Sequence, residues 1–218
     1  VSPEEAARFI AAETAIATPP LVPEVRLHLA AAITPIWQAT EASLATAGVE
    51  PPYWAFAWPG SQALARHVLD DPGLVRGRRV LDFAAGGGLA AIAAAMAGAA
   101  PVVAAELDAL ASAAAAANAA LNAVVIETVT GDLCAAPPGA WDVILAGDVC
   151  YEARMTARVM PWLRAAARAG ALVLLADPGR AYLPREGLVA RATYDVAVTR
   201  ELEDRDVRRT TIYAVSGS

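Results

Sequence analysis

Residues 80–90 read VLDFAAGGGLA: four residues of strand character, three consecutive glycines, then the start of an alanine-rich helix. No other stretch constrains the chain as much. A strand that ends on glycine and turns at once into a helix opens a βαβ unit, and such units require a parallel sheet covered by helices. The alternation continues downstream. Strand 79–83 leads to helix 87–97, strand 102–106 to helix 109–122, and strand 124–130 to a Pro/Gly loop. Strand 141–146 leads to a helical stretch, 153–169, which Pro161 kinks or splits, and strand 171–176 follows. The end of the chain changes pattern: strands over 193–198 and 208–215 flank a charged turn. This closing hairpin requires an antiparallel edge on the otherwise parallel sheet.

Before Pro59 the chain is helical with proline breaks. SPEEAARFIAAETAIA has a serine N-cap, proline at N1 and glutamate in the first turn. TPPLVPEV reads as a connector, and PIWQATEASLATAG as a second helix ending at Gly48. VEPPYWAFAWPG is a proline-bracketed aromatic loop, and the helix after it starts near Gly60 or Ser61. The expected organisation is an N-terminal helical extension with the aromatic loop over 1–59, and one compact α/β unit over 60–218.

Composition excludes several classes. The chain is 57% hydrophobic, mostly through alanine, and its longest apolar run, 89–105, is broken by Gly98 and Pro101. A spanning helix needs about 20 strongly apolar residues, so none is expected. The first residues carry an acidic pair and no basic n-region, so no signal peptide is expected. A net charge of −6 argues against nucleic acid as partner. Cys134, Cys150, His28 and His67 lack metal-type spacing, and reduced thiols fit a cytoplasmic protein. All 17 basic residues are arginine.

Gly86, Gly88 and Ala91 satisfy G-x-G-x-x-A, and Glu106 ends the next strand, 20 residues after Gly86, where an acid can grip ribose hydroxyls. A nucleoside ligand follows, with a tight turn in a ligand-free domain as the plain alternative. Asp82, in the strand before the glycines, selects among nucleosides. A carboxylate repels a pyrophosphate but attracts a ligand bearing an ammonium and a sulfonium. That ligand is S-adenosylmethionine, with Asp82 facing its amino group directly or through water.

VLDFAAGGG resembles motif I of class I methyltransferases, with Ala84 in place of the first glycine. The resemblance implies a Rossmann-like, mostly parallel seven-stranded sheet with an antiparallel C-terminal strand and helices on both faces. AAELD resembles motif II, which assigns Glu106 to the ribose; Asp108 reads as a helix N-cap. TGDL resembles the adenine loop, making Asp132 an acceptor for the exocyclic amine, although Gly-Asp is also an ordinary turn pair. Asn118 and Asn122 read as helix-end residues.

Asp148-Val149-Cys150-Tyr151 resembles the D-x-x-Y motif of the seven-β-strand lysine methyltransferases. PYWAFAWPGSQALARHVLDD, PPLVPEVRLHLA and TPIWQATE are similar to the electron transfer flavoprotein β-subunit lysine methyltransferases and their bacterial relatives. Ser61 stands where those relatives often carry a second glycine. The resemblance implies methyl transfer from S-adenosylmethionine to a lysine ε-amine, leaving S-adenosylhomocysteine, without a metal. The implied partner is the flavoprotein β-subunit, met by a cytoplasmic bacterial monomer; a ribosomal protein or a small-molecule amine or hydroxyl are the alternatives. Asp82, Ala84, Gly86, Gly88, Glu106, Asp132 and Trp58 are assigned to the cofactor. Asp148 and Tyr151 are assigned to catalysis and, with Trp54 and Phe56, to substrate binding. Lysine's ordinary pKa of about 10.4 leaves roughly one amine in 2,500 neutral at pH 7. A carboxylate raises that pKa, so Asp148 is read as orienting the amine or relaying its proton. Trp37 reads as packing and Glu41 as solvated.

Overall fold

The computed structural model describes residues 2–30, 52–198, 203 and 205–217. The helix expected over 35–48, with Trp37 and Glu41, lies outside the described residues. Helix α1 (Pro3–Glu13) starts with a capping box: the Glu5 amide donates to Ser2 Oγ and the Ser2 amide to the Glu5 carboxylate. It stops at Thr14, earlier than expected. Residues Ala15–Ala17 form strand β1, paired antiparallel with β2 (Leu27–Leu29). Asn118 and Asn122 hold this segment to the body. Asn118 Oδ1 accepts from the His28 amide at 2.7 Å, and Asn122 Oδ1 from the Arg26 amide at 2.9 Å. A short 3₁₀ turn, Tyr53–Ala55, leads into α2 (Pro59–Asp70), which begins at the proline rather than after it.

The main body then runs β3 (Val80–Phe83), α3 (Leu89–Met96), β4 (Val102–Glu106), α4 (Ala109–Leu121), β5 (Glu127–Thr130), β6 (Val143–Gly147), α5 (Ala153–Arg168), β7 (Leu172–Asp177), β8 (Leu188–Ala197) and β9 (Val207–Val215). Helix α5 continues through Pro161 without splitting. The seven strands β3 to β9 lie in the order β5-β4-β3-β6-β7-β9-β8. β3, β4, β5, β6 and β7 pair in parallel; β9 runs antiparallel to both β7 and β8. The hairpin was expected to put its antiparallel strand at the edge. Instead β9 slots inside and β8 takes the edge. Burial explains the choice: β9 buries Thr210, Ile212 and Val215, whereas β8 is exposed along most of its length.

Alternation along the central strands builds two cores. Val80, Val143 and Leu145 face α2 and α3, packing with Leu64, Val68, Ala91 and Ala94. Leu81, Phe83 and Ile144 face α5, packing with Val159, Met160, Trp162 and Leu163. The period of two therefore points Asp82 to the α3 side of the sheet. The chain winds from β3 through β4 to β5 on one side, then from β6 to β7 on the other. The crevice beyond the C-terminal ends of β3 and β6 is thus a topological switch point, where open α/β sheets bind ligands. No helix among the described residues is long and apolar enough to cross a membrane.

Candidate active site

A cavity of about 670 Å³ opens at that switch point, of a size for a nucleoside-bearing ligand. Its floor is the turn after β3. Ala84 lines it in the left-handed region, φ 54°, where the methyltransferase pattern has glycine. Gly86 also lines it, and its amide donates to Glu106 Oε1 at 2.6 Å. The Leu107 amide donates to Glu106 Oε2 at 3.0 Å. Each carboxylate oxygen keeps a lone pair for a ribose hydroxyl. Burial pushes the Glu106 carboxyl up, against the pull of these amides.

Gly88 and Asp82 are not on the cavity wall. Gly88 caps α3 at φ 80°, and a Cβ there would meet the Ala115 Cβ at 3.0 Å, so this glycine serves the close approach of α3 to α4. Asp82 is buried behind the turn, and its Oδ2 accepts from the Ala91 amide in the first turn of α3 at 2.8 Å. Burial chiefly, with the Glu106 charge adding, pushes this carboxyl up to about 7. Asp82 was expected to face a ligand amino group directly or through water; it lies off the cavity wall and bonds the α3 N-terminus.

Asp132, at the end of β5, lines the cavity together with Gly131, Leu133 and Cys134. Its Oδ1 accepts from the Cys134 amide at 3.0 Å, and its Oδ2 pairs with Arg158. Asp108 caps α4 through the Leu110 amide.

Tyr53, Trp54 and Trp58 of the aromatic loop also line the cavity. Trp54 is buried against the glycine turn, so close that a Cβ on Gly87 would lie 2.9 Å from the Trp54 carbonyl. Its indole N–H is buried without an acceptor among the described residues. Phe56 does not line the main cavity. It packs with Ile10, Ala111 and Ala114 and touches only a small neighbouring recess. Trp58 lines both spaces, donates its indole N–H to the Tyr53 carbonyl at 2.7 Å, and sits edge-on to Phe56.

Asp148 follows β6 at φ 55°, and is buried. Aspartate is among the residues that enter this region most readily. Its Oδ2 accepts from the Gly60 amide at 2.5 Å, and its Oδ1 from Arg180 Nη2 at 2.9 Å. Burial pushes the Asp148 carboxyl up to about 6, with Arg180 and the Gly60 amide pulling it back down. A Cβ on Gly60 would overlap Asp148 Oδ2 and approach the Ala176 carbonyl at 2.8 Å; only glycine fits between α2 and this carboxylate. Ser61, in place of a second glycine, bonds its hydroxyl to the Trp58 carbonyl at 3.0 Å. Tyr151 is exposed at the mouth, its ring 5.8 Å from that of Tyr53.

Sequence reasoning missed Arg180, and the role of Asn118, whose side-chain amide donates to the Gly87 carbonyl at 2.9 Å. A signal for Arg180 was present. Asp177-Pro178-Gly179 at the end of a parallel strand is a turn that sets the next residue at the ligand-binding edge.

Glycine turn, the spare lone pairs of Glu106, unpartnered Trp54 N–H and cavity size together fit a nucleoside with a polar amino-acid tail. Seven strands with β9 reversed and an acid-glycine site at the switch point define a class I methyltransferase. The model of the ribosomal protein L11 methyltransferase (PrmA) family matches residues 63–150. The electron transfer flavoprotein beta subunit lysine methyltransferase of Xenopus laevis is 40% identical over 175 residues, 79% of this chain and 70% of that protein. The chain belongs to that lysine methyltransferase family. The Danio rerio member is also 40% identical, over 60% of this chain and about half, 51%, of its own length. The solved ribosomal protein L11 methylase of Lactobacillus delbrueckii subsp. bulgaricus shares the fold, with TM-score 0.52 and 21% identity over 74% of this chain and 81% of that one.

Proposed function

We propose that this chain transfers methyl groups from S-adenosylmethionine to a protein lysine, and that the substrate is the electron transfer flavoprotein β-subunit named in its relatives. The observation that carries the reading is one of depth. Tyr53 and Tyr151 stand exposed at the cavity mouth, while Asp148 is buried on its wall. A slender side chain ending in an amine, passing beside these paired rings, suits that path.

When bound, the donor supplies an electrophilic methyl on a sulfonium. Glu106 takes the ribose hydroxyls, the Asp132 loop the adenine, and the Ala84–Gly86 turn and Trp54 the methionyl end; Trp58 walls the junction between donor and acceptor. Asp148 accepts an N–H of the incoming lysine and orients its lone pair, and Tyr151 flanks the amine. Positioning of this kind can supply much of the rate. Division of the chain at residue 59 and a bacterial cytoplasmic location belong to the same proposal.

The ribosomal alternative has a specific basis in the L11 methyltransferase match, but that match covers residues 63–150 and ends before Arg180. The test is incubation with labelled S-adenosylmethionine and purified flavoprotein. The chain has no lysine of its own, which keeps self-labelling of side-chain amines out of the readout. Label on β-subunit lysines, lost in Asp148→Asn, is the expected result. Label confined to small molecules, or to ribosomal protein offered alongside, refutes the assignment.

A further inference from the structure

We propose that Arg180 is a positioning residue for the acceptor amine: its guanidinium holds the Asp148 carboxylate in place and ionised, ready to accept a lysine N–H at neutral pH. The inference rests on the lysine-transfer reading above.

The geometry is built by three separate segments. Asp177, closing β7, takes the amides of Gly179 and Arg180 on its Oδ1, both at 2.7 Å, and so fixes the turn that presents Arg180. From there the guanidinium reaches back over Trp58, 5.9 Å from the ring centroid. It donates to Asp148 Oδ1 from Nε at 3.3 Å and Nη2 at 2.9 Å, and from Nη2 to Glu203 Oε1 at 2.7 Å. Glu203 is itself buried and takes Arg208 on its other oxygen at 2.9 Å. The third segment supplies the Gly60 amide.

A buried carboxylate without a cation takes up a proton. The other groups facing Asp148 do not compensate it. Asp177 and Glu203 are acids, and the buried Cys150 thiol, pushed up to about 12, stays neutral. Glu152 and Arg154 line the same cavity farther along the chain, from the start of α5. Among the described residues, Arg180 is the cation that ion-pairs with Asp148. Its charge also solves a problem in the chemistry. A bare carboxylate would hold the incoming lysine as ammonium, whereas one already matched by a guanidinium can accept an N–H of the neutral amine once its proton has passed to solvent water.

Arg180→Gln keeps a donor and removes the charge; Arg180→Lys restores the charge. Asp148 is followed directly by carbon-detected NMR titration of its carboxyl, assigned through Asp148→Asn. In Arg180→Gln the midpoint should rise by at least about one pH unit, and in Arg180→Lys return toward wild type. The acid limb of kcat/KM for lysine methylation should move up with it, giving a loss of about twofold or more at pH 7 and about fivefold or more at pH 6 that closes by pH 9. Affinity for S-adenosylhomocysteine should not change. Glu203→Gln, which leaves Arg180 to Asp148 alone, should move the midpoint down, and it tests the link if Arg180→Gln does not fold. An unchanged midpoint, or an activity loss uniform across pH, overturns the proposal even when wild type methylates lysine. A shifted midpoint in an enzyme that methylates no lysine overturns the amine role and the lysine reading together.

Discussion

Asp82→Asn tests whether the acid under the glycine turn costs the protein stability. The residue is 3% exposed, and its carboxylate accepts from the Ala91 amide. Its carboxyl moves from an ordinary 3.8 to about 7, chiefly through burial. In the unfolded chain this group loses its proton near 3.8; in the folded chain it keeps it to about 7. Between those values the folded state binds more protons, so stability falls as pH rises through the window and levels off above it. At about 1.4 kcal/mol per pH unit, the full window corresponds to about 4 kcal/mol, an upper bound because relaxation and water recover part of it. Asparagine keeps an oxygen for the Ala91 amide and never ionises. Urea denaturation followed by circular dichroism should find the two proteins similar at pH 4.5 and the variant more stable by about 2–4 kcal/mol at pH 8. A cationic ligand that favours the ionised acid must, by the same linkage, bind wild type more tightly as pH rises through 7, and the variant should lose that trend. A difference independent of pH, or a variant less stable at pH 8, would refute the argument.

Gly60→Ala should destabilise the fold by roughly 1–3 kcal/mol and cut methylation sharply, because the new methyl overlaps the Asp148 carboxylate and meets the Ala176 carbonyl; thermal unfolding and a methyl-transfer assay read the two effects. Glu106→Gln leaves one of the Gly86 and Leu107 amides facing an NH₂ group, and removes the charge from the ribose acceptor. Calorimetry should find S-adenosylhomocysteine binding weaker by about tenfold or more. Ala84→Gly relieves a left-handed alanine at a cost of about 1–2 kcal/mol, against about 0.5–1 kcal/mol of added chain entropy. Its urea midpoint should therefore equal or slightly exceed that of wild type.

The parallel half of the fold was legible because fully buried strands announce themselves. VLDF, VVAAE and VILAG are buried nearly end to end. The hairpin was legible as a hairpin but not in its placement, since which strand sits inside depends on summed burial against β7. Helix α1 was over-extended because AIA has no local breaker; its pairing with Leu27–Leu29 is a tertiary fact. At the site, Glu106 and the glycines stand close in sequence to what they hold, and motif spacing finds them. For Asp82 the sequence showed the charge but not the depth. Its sign suits a cationic ligand, but only the strand period and the depth of the turn reveal that it faces α3. Phe56 followed the same course, because an aromatic in a proline-rich loop gives no sign of which side it packs on.

The acceptor end was hardest to read, because its parts are far apart in the chain: 88 residues separate Gly60 from Asp148, and 32 separate Asp148 from Arg180. The switch point explains why they meet. β3, β4 and β5 wind one way and end in the residues proposed to hold a nucleoside; β6 and β7 wind the other way and end in Asp148 and the turn before Arg180. The L11 methyltransferase model covers β3 to β6 and stops at residue 150, past Asp148 but before the β7 turn. A chain can therefore keep the donor half while changing what it methylates through the β7 turn, the start of α2 and the aromatic loop. Those are the places where this chain puts a cation beside its buried acid. Exchanging the Asp177–Arg180 turn alone should then alter acceptor use and leave nucleoside affinity intact.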